Sequence, residues 1–107
     1  MKFVRYRDGE NTLEYRPVDR IVGIADTVND EIQVYFEPVS NTADRVDYVD
    51  LSVLNENEKG VITTIVEAIN QGANNIITIA DDHTSDYIHP DLDAVVAIVA
   101  DGNANPS

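Results

Sequence analysis

The chain contains no cysteine and no tryptophan, and only 7 of its 107 residues are Lys or Arg. Without Cys, zinc fingers, iron–sulfur clusters, disulfide frameworks and thiol catalysis are excluded. The shortage of basic residues, set against 20 Asp and Glu, leaves a formal charge of −13. Nucleic-acid affinity comes mainly from Lys and Arg neutralising phosphates, so this balance argues against DNA, RNA and anionic membrane surfaces as partners. No apolar run approaches the roughly 20 residues that span a bilayer. Met1 to Arg7 alternates charged with apolar residues, unlike the core of a signal peptide. These features set the expectation of a soluble, cytoplasmic protein without a cleavable signal.

Signatures of chemistry are equally scarce. The five glycines are scattered at positions 9, 23, 60, 72 and 102, so no phosphate-cradling loop exists. Ser40, Ser52, Ser85 and Ser107 lie outside any Gly-x-Ser-x-Gly elbow. A single small domain also has little room for an enclosed pocket. The expectation is a non-enzymatic protein without a cofactor.

What is present divides unevenly. Residues 1–59 carry 13 acids and 7 bases, whereas residues 60–107 carry 7 acids and no base. The length fits one domain, taken as residues 1–101, with 102–107 reading as a disordered tail. High net charge without low hydrophobicity favours a folded chain over a disordered one. Asp outnumbers Glu 13 to 7, a balance that suits a saline environment and equally an ordinary acidic protein.

The pattern predicts an α+β fold. Alternation marks strands at 2–7, 12–16, 20–26, 31–37 and 45–54, with Asp8-Gly9 and residues 28–30 as turns. Pro17 and Pro38 mark strand ends, and residues 40–44 read as a loop. Short connections imply an antiparallel β-meander of about five strands, with a partly closed barrel as its end point. Residues 56–71 read as one amphipathic helix. Val61, Ile62, Ile65, Val66, Ala68 and Ile69 form its apolar face, Asn55 is the expected N-cap with Glu58 completing a capping box, and Gly72 a left-handed terminus. Two apolar strands follow, near 75–80 and 94–100.

Two constellations stand out. The segment 81–93 holds five Asp and both histidines, so Asp81, Asp82, His83, Asp86 and His89 are candidate ligands for a divalent metal. It fails the EF-hand pattern, since the sixth and twelfth positions from Asp81 are Asp86 and Leu92 rather than Gly and Glu. The competing expectation is a solvated loop whose Asp, Ser, Thr and Pro shape turns. Separately, Tyr6, Tyr15, Tyr35 and Tyr48 fall on four predicted strands. Together on an outer face they would anchor a protein interface; alternatively, Tyr simply suits half-buried strand positions.

Lys2-Phe3-Val4-Arg5-Tyr6, the stretch Arg16-Pro17-Val18-Asp19-Arg20-Ile21-Val22-Gly23-Ile24 and the helix Ile65-Val66-Glu67-Ala68-Ile69-Asn70-Gln71-Gly72 resemble small uncharacterised proteins of marine phages. The resemblance spans most of residues 1–72 and carries no catalytic signature. It implies a marine viral origin, in the host cytoplasm or the virion, and no functional residue to transfer. The leading expectation is therefore a self-associating protein, a homo-oligomer, or one that docks on a protein partner as a viral accessory or structural component. The alternative is a divalent-metal-binding domain built on 81–93.

Overall fold

A computed structural model describes residues 2–9, 12–28, 30–37, 47–72 and 75–99, with backbone only at 27 and 28. In chain order the elements are β1 (Phe3–Arg7), β2 (Leu13–Pro17), a single 3-10 turn (Val18–Arg20), β3 (Ile21–Val28), β4 (Glu31–Phe36), β5 (Asp47–Val53), α1 (Glu58–Gln71), β6 (Ile76–Asp81), β7 (Asp86–Tyr87) and β8 (Leu92–Val99). The fold is α+β, with its strands divided between two four-stranded sheets.

The division corrects the single meander. One sheet runs β2-β1-β6-β7 and the other β3-β4-β5-β8. Only β3-β4-β5 is a sequential meander, completed by β8 antiparallel to β5. The chain leaves the first sheet after its opening hairpin, through the turn at Val18–Arg20, and returns to it only with β6. There β6 lies parallel to β1, pairing Phe3 with Ile76 and Arg7 with Asp81. Among the described residues the strands form two open sheets rather than a closed barrel. Pro38, the 40–44 loop and the 102–107 tail lie outside the described residues.

One core serves both sheets and the helix. In β4 the residues Ile32, Val34 and Phe36 turn inward, as do Val49, Leu51 and Val53 of β5, so the period-two alternation translates directly into burial. Val4 and Tyr6 of β1, Ile77 and Ile79 of β6, and Leu92 and Val95 of β8 complete the strand contribution. Val61 and Ile65, four residues apart and therefore on one helical face, seal it from α1. Each fully buried side chain of this size contributes about 1.5–3 kcal/mol by leaving water.

The helix ends differ from the expected ones. Asn55 and Glu56 both adopt positive φ, at 61° and 54°, so neither is a capping residue of ordinary geometry. Asn57 is the N-cap, and its Oδ1 accepts from the Gly60 N–H at 3.2 Å. A Cβ at residue 60 would stand 2.5 Å from that oxygen, so a side chain there would have to displace the capping amide. Glu58 does not close a capping box; its Oε2 accepts from the Asp30 backbone N–H. At the other end Gly72 is extended, with φ −67°, rather than left-handed. Its N–H donates to the Ala68 carbonyl, and a Cβ would meet that oxygen at 2.4 Å, so close approach selects glycine here.

Candidate functional site

The loop after β6 is organised by Asp81, whose side chain is fully buried. A register shift between β1 and β6 aims this residue at the arginines: Arg5 pairs with Thr78, but Tyr6 pairs with Ala80 and Arg7 with Asp81. Asp81 Oδ1 accepts from Arg7 Nε at 3.0 Å and from the backbone N–H groups of His83 and Thr84 at 2.9 and 3.3 Å. Oδ2 accepts from Arg7 Nη2 at 2.9 Å and from Arg5 Nη2. The Arg7 bonds hold this carboxyl far below the usual carboxylate range, against the opposing effect of burial.

The other proposed ligands are dispersed. Asp82 accepts from the Tyr87 hydroxyl at 2.7 Å and from the Val95 N–H on β8. Burial and this bond push the Tyr87 phenol up to about 12. His83 and Asp86 are exposed. His89 Nδ1 accepts from the Asp91 N–H at 2.9 Å, and the Asp91 carboxylate accepts from the side-chain amides of Asn57 and Asn55. Those two amides lower the Asp91 pKa. Among the described residues no three His, Asp or Glu groups converge as a metal site.

The tyrosines do not share a face. Tyr6 belongs to the core at 1% exposure, with its ring 5.9 Å from Phe36. Tyr35 and Tyr48 are cross-strand partners on the second sheet, half-buried, with rings edge-to-face at 5.8 Å. Tyr15 alone is well exposed, on β2.

Strand β2 inverts the usual pattern. Its apolar Leu13 and Tyr15 are 41% and 49% exposed, whereas its charged Arg16 is 6% exposed. The inward charges are compensated beneath the strand. Glu14 Oε1 accepts from the Tyr6 hydroxyl at 2.7 Å and from Arg16 Nε at 3.1 Å, and Arg16 Nη2 lies 2.8 Å from Asp47 Oδ2. The guanidinium also sits 5.2 Å over the Phe36 ring, a cation–π contact. Burial first, then Glu14, raises the Tyr6 pKa strongly and keeps the phenol neutral.

The backbone of β2 has one satisfied side. Asp8 N–H donates to the Thr12 carbonyl and Val18 N–H to the Lys2 carbonyl, so the even positions of this stretch face β1. In an antiparallel pair the intervening residues point their peptide groups the other way. Leu13 and Tyr15 therefore present N–H and C=O outward, and Pro17 presents a carbonyl alone. Among the described residues no strand pairs with that side. An open cleft of about 530 Å³ runs along it, lined by Leu13 to Pro17 and bounded by the exposed Arg20–Glu37 ion pair at 2.9 Å.

The other outer strands are less available. β3 is interrupted by two register shifts, β7 has two residues, and Asp82 occupies the Val95 N–H of β8. Inward-pointing charge ordinarily guards an edge against pairing. On β2 that charge is already matched by Tyr6 and Asp47, so the edge is left receptive. Sequence reasoning singled out Tyr15 here but missed Leu13, Glu14 and Arg16 as site residues; alternation separates Leu13 and Tyr15 from Glu14 and Arg16, but nothing in it says which set turns outward. No protein-family model, curated protein or solved structure matches the chain.

Proposed function

We propose that this chain is a non-enzymatic protein that works by self-association, adding a strand along the open edge of β2. The observation that carries the reading is the coincidence, at Leu13 and Tyr15, of outward backbone hydrogen-bonding groups with exposed apolar side chains. Backbone pairing supplies affinity in strand addition and the alternate side chains supply selectivity. The buried carboxylates and arginines are paired with one another, which favours a structural use of charge over acid–base chemistry. The net charge of −13 favours protein over nucleic acid or membrane as the partner. With the resemblance of residues 1–72 to marine phage proteins, the role is that of a viral accessory or structural component.

Light scattering across the micromolar range tests the reading. The mass rises above 11.8 kDa with concentration, and association tightens as salt screens the repulsion between two acidic chains. Leu13→Pro removes an N–H that faces away from β1, at the first position of the strand where Pro is tolerated, and holds the protein monomeric. A wild-type chain of 11.8 kDa at every concentration and salt overturns the proposal.

A further inference from the structure

We infer that the second copy pairs antiparallel with β2 about a two-fold axis at Tyr15, closing a symmetric dimer. This rests on the self-association reading and adds the partner strand, its register and its stoichiometry. The argument is the charge pattern of Leu13-Glu14-Tyr15-Arg16-Pro17. The inward Glu14 and Arg16 are already paired within each copy, so charge complementarity across the new interface selects the register that lays the two Glu14–Arg16 pairs antiparallel and opposes no like charges. With the axis at Tyr15, Glu14 of one copy faces Arg16 of the other, twice by symmetry. An axis at Glu14 would oppose two carboxylates, and one at Arg16 two guanidiniums, each unfavourable across strands. An axis at Leu13 or Pro17 leaves most of the strand without a partner.

Hydrogen bonding agrees with the same register. Tyr15 has its peptide groups outward, so the two Tyr15 residues exchange both bonds of a hydrogen-bonded antiparallel pair. The Leu13 N–H then donates to the partner's Pro17 carbonyl. Proline's missing N–H falls at the end of the paired segment, where strands tolerate it. The outer face brings the two Tyr15 rings side by side, flanked by Leu13 and Pro17 from opposite copies. A two-fold contact of this kind is self-complementary and terminates at two chains.

The native chain has no cysteine, so single introduced thiols report the register directly. Hydrogen-bonded antiparallel partners stand about 5.5 Å apart at Cα, within disulfide reach. Residues 13 of the two copies would be separated by about 14 Å along the strands at ~3.4 Å per residue. Under mild oxidation Tyr15→Cys gives a covalent dimer, at least tenfold faster than the comparably exposed Leu13→Cys. Mixing Leu13→Cys with Pro17→Cys gives a heterodimer. Equal rates for the two single variants, or cross-linking only in a Leu13→Cys and Tyr15→Cys mixture, overturn the register. If this happens while light scattering still shows a dimer sensitive to Leu13→Pro, self-association at β2 stands and only the register falls. If light scattering finds wild type monomeric, both fall.

Discussion

Arg7 and Asp81, 74 positions apart in the chain, close a two-pronged ion pair, Nε to Oδ1 at 3.0 Å and Nη2 to Oδ2 at 2.9 Å. It joins the base-bearing half of the sequence to the half that has no base. Arg5 reaches the same carboxylate, and Lys2 Nζ donates to the Ile69 and Gly72 carbonyls at 3.0 and 2.8 Å. The uneven charge distribution is thus resolved in three dimensions, with bases in and just before the first strand serving acceptors of the second half.

Asp81→Asn removes the anion while keeping the shape. A cost of about 2 kcal/mol, roughly 10 °C in Tm, is expected at pH 7. Because the folded carboxyl titrates below its unfolded value of 3.8, its stabilisation is complete above about pH 5 and fades as pH falls through and below 4. Urea unfolding at pH 7 and pH 3 shows the gap between wild type and variant shrinking at the lower pH.

Alkaline titration followed by tyrosinate absorbance reports on two phenols. Tyr87 ionises near 12, and Tyr6 only when the core opens. Both are raised above the unfolded value of 10.0, so the stability they confer is full below that pH and is lost as pH climbs past it. Tyr6→Phe abolishes the slow, unfolding-limited component and costs about 1 kcal/mol through the lost bond to Glu14.

The two ends of α1 make opposite demands. Asn57→Ala removes the N-cap and costs about 1 kcal/mol. Glu56→Gly relieves a left-handed backbone at an exposed site and is neutral or stabilising by about 0.5 kcal/mol. The helix has no basic residue in its last turn, so Lys2→Met leaves its terminal carbonyls without their cation and costs about 1 kcal/mol. Chemical denaturation of the three variants separates Glu56→Gly from the two destabilised ones.

Adding Ca²⁺, Mn²⁺ or Zn²⁺ at millimolar concentration is expected to leave Tm unchanged. Asp81 directs both oxygens at arginines and backbone N–H groups, and Asp82 is held by Tyr87 and Val95. A ligand selective for the folded state would raise Tm, so a shift of several degrees with any of the three metals revives the metal reading.

Local alternation was legible. The inward sets of β4 and β5 and the Val61–Ile65 face of α1 follow from spacing alone, because each is a short-range consequence of strand or helix geometry. What was not legible is pairing over distance. Nothing near Val4 or Ile77 indicates that they are parallel neighbours, and so local alternation extends the meander one hairpin too far. Asp81 is one of five aspartates in its segment, and only the register shift in β6 distinguishes it. Alternation puts Tyr6 on the same side of its strand as Val4, but a strand's two faces are equivalent in sequence until the rest of the fold chooses one, and here that side is the core rather than an outer surface. The same ambiguity hid β2, where the charged residues face inward.

The parallel pairing of β1 with β6 also sets an order of events during synthesis. The β1–β2 hairpin leaves the ribosome well before its central partner, residues 76–81, which lies far downstream in sequence. Contacts so distant in sequence carry a loop-closure cost before they return any stabilisation, which slows folding. The nascent hairpin therefore waits with both outer edges bare, whereas β3-β4-β5 can assemble from neighbours. In this interval the second edge of β1 is as open as that of β2, and the arrival of β6 decides which of them remains available.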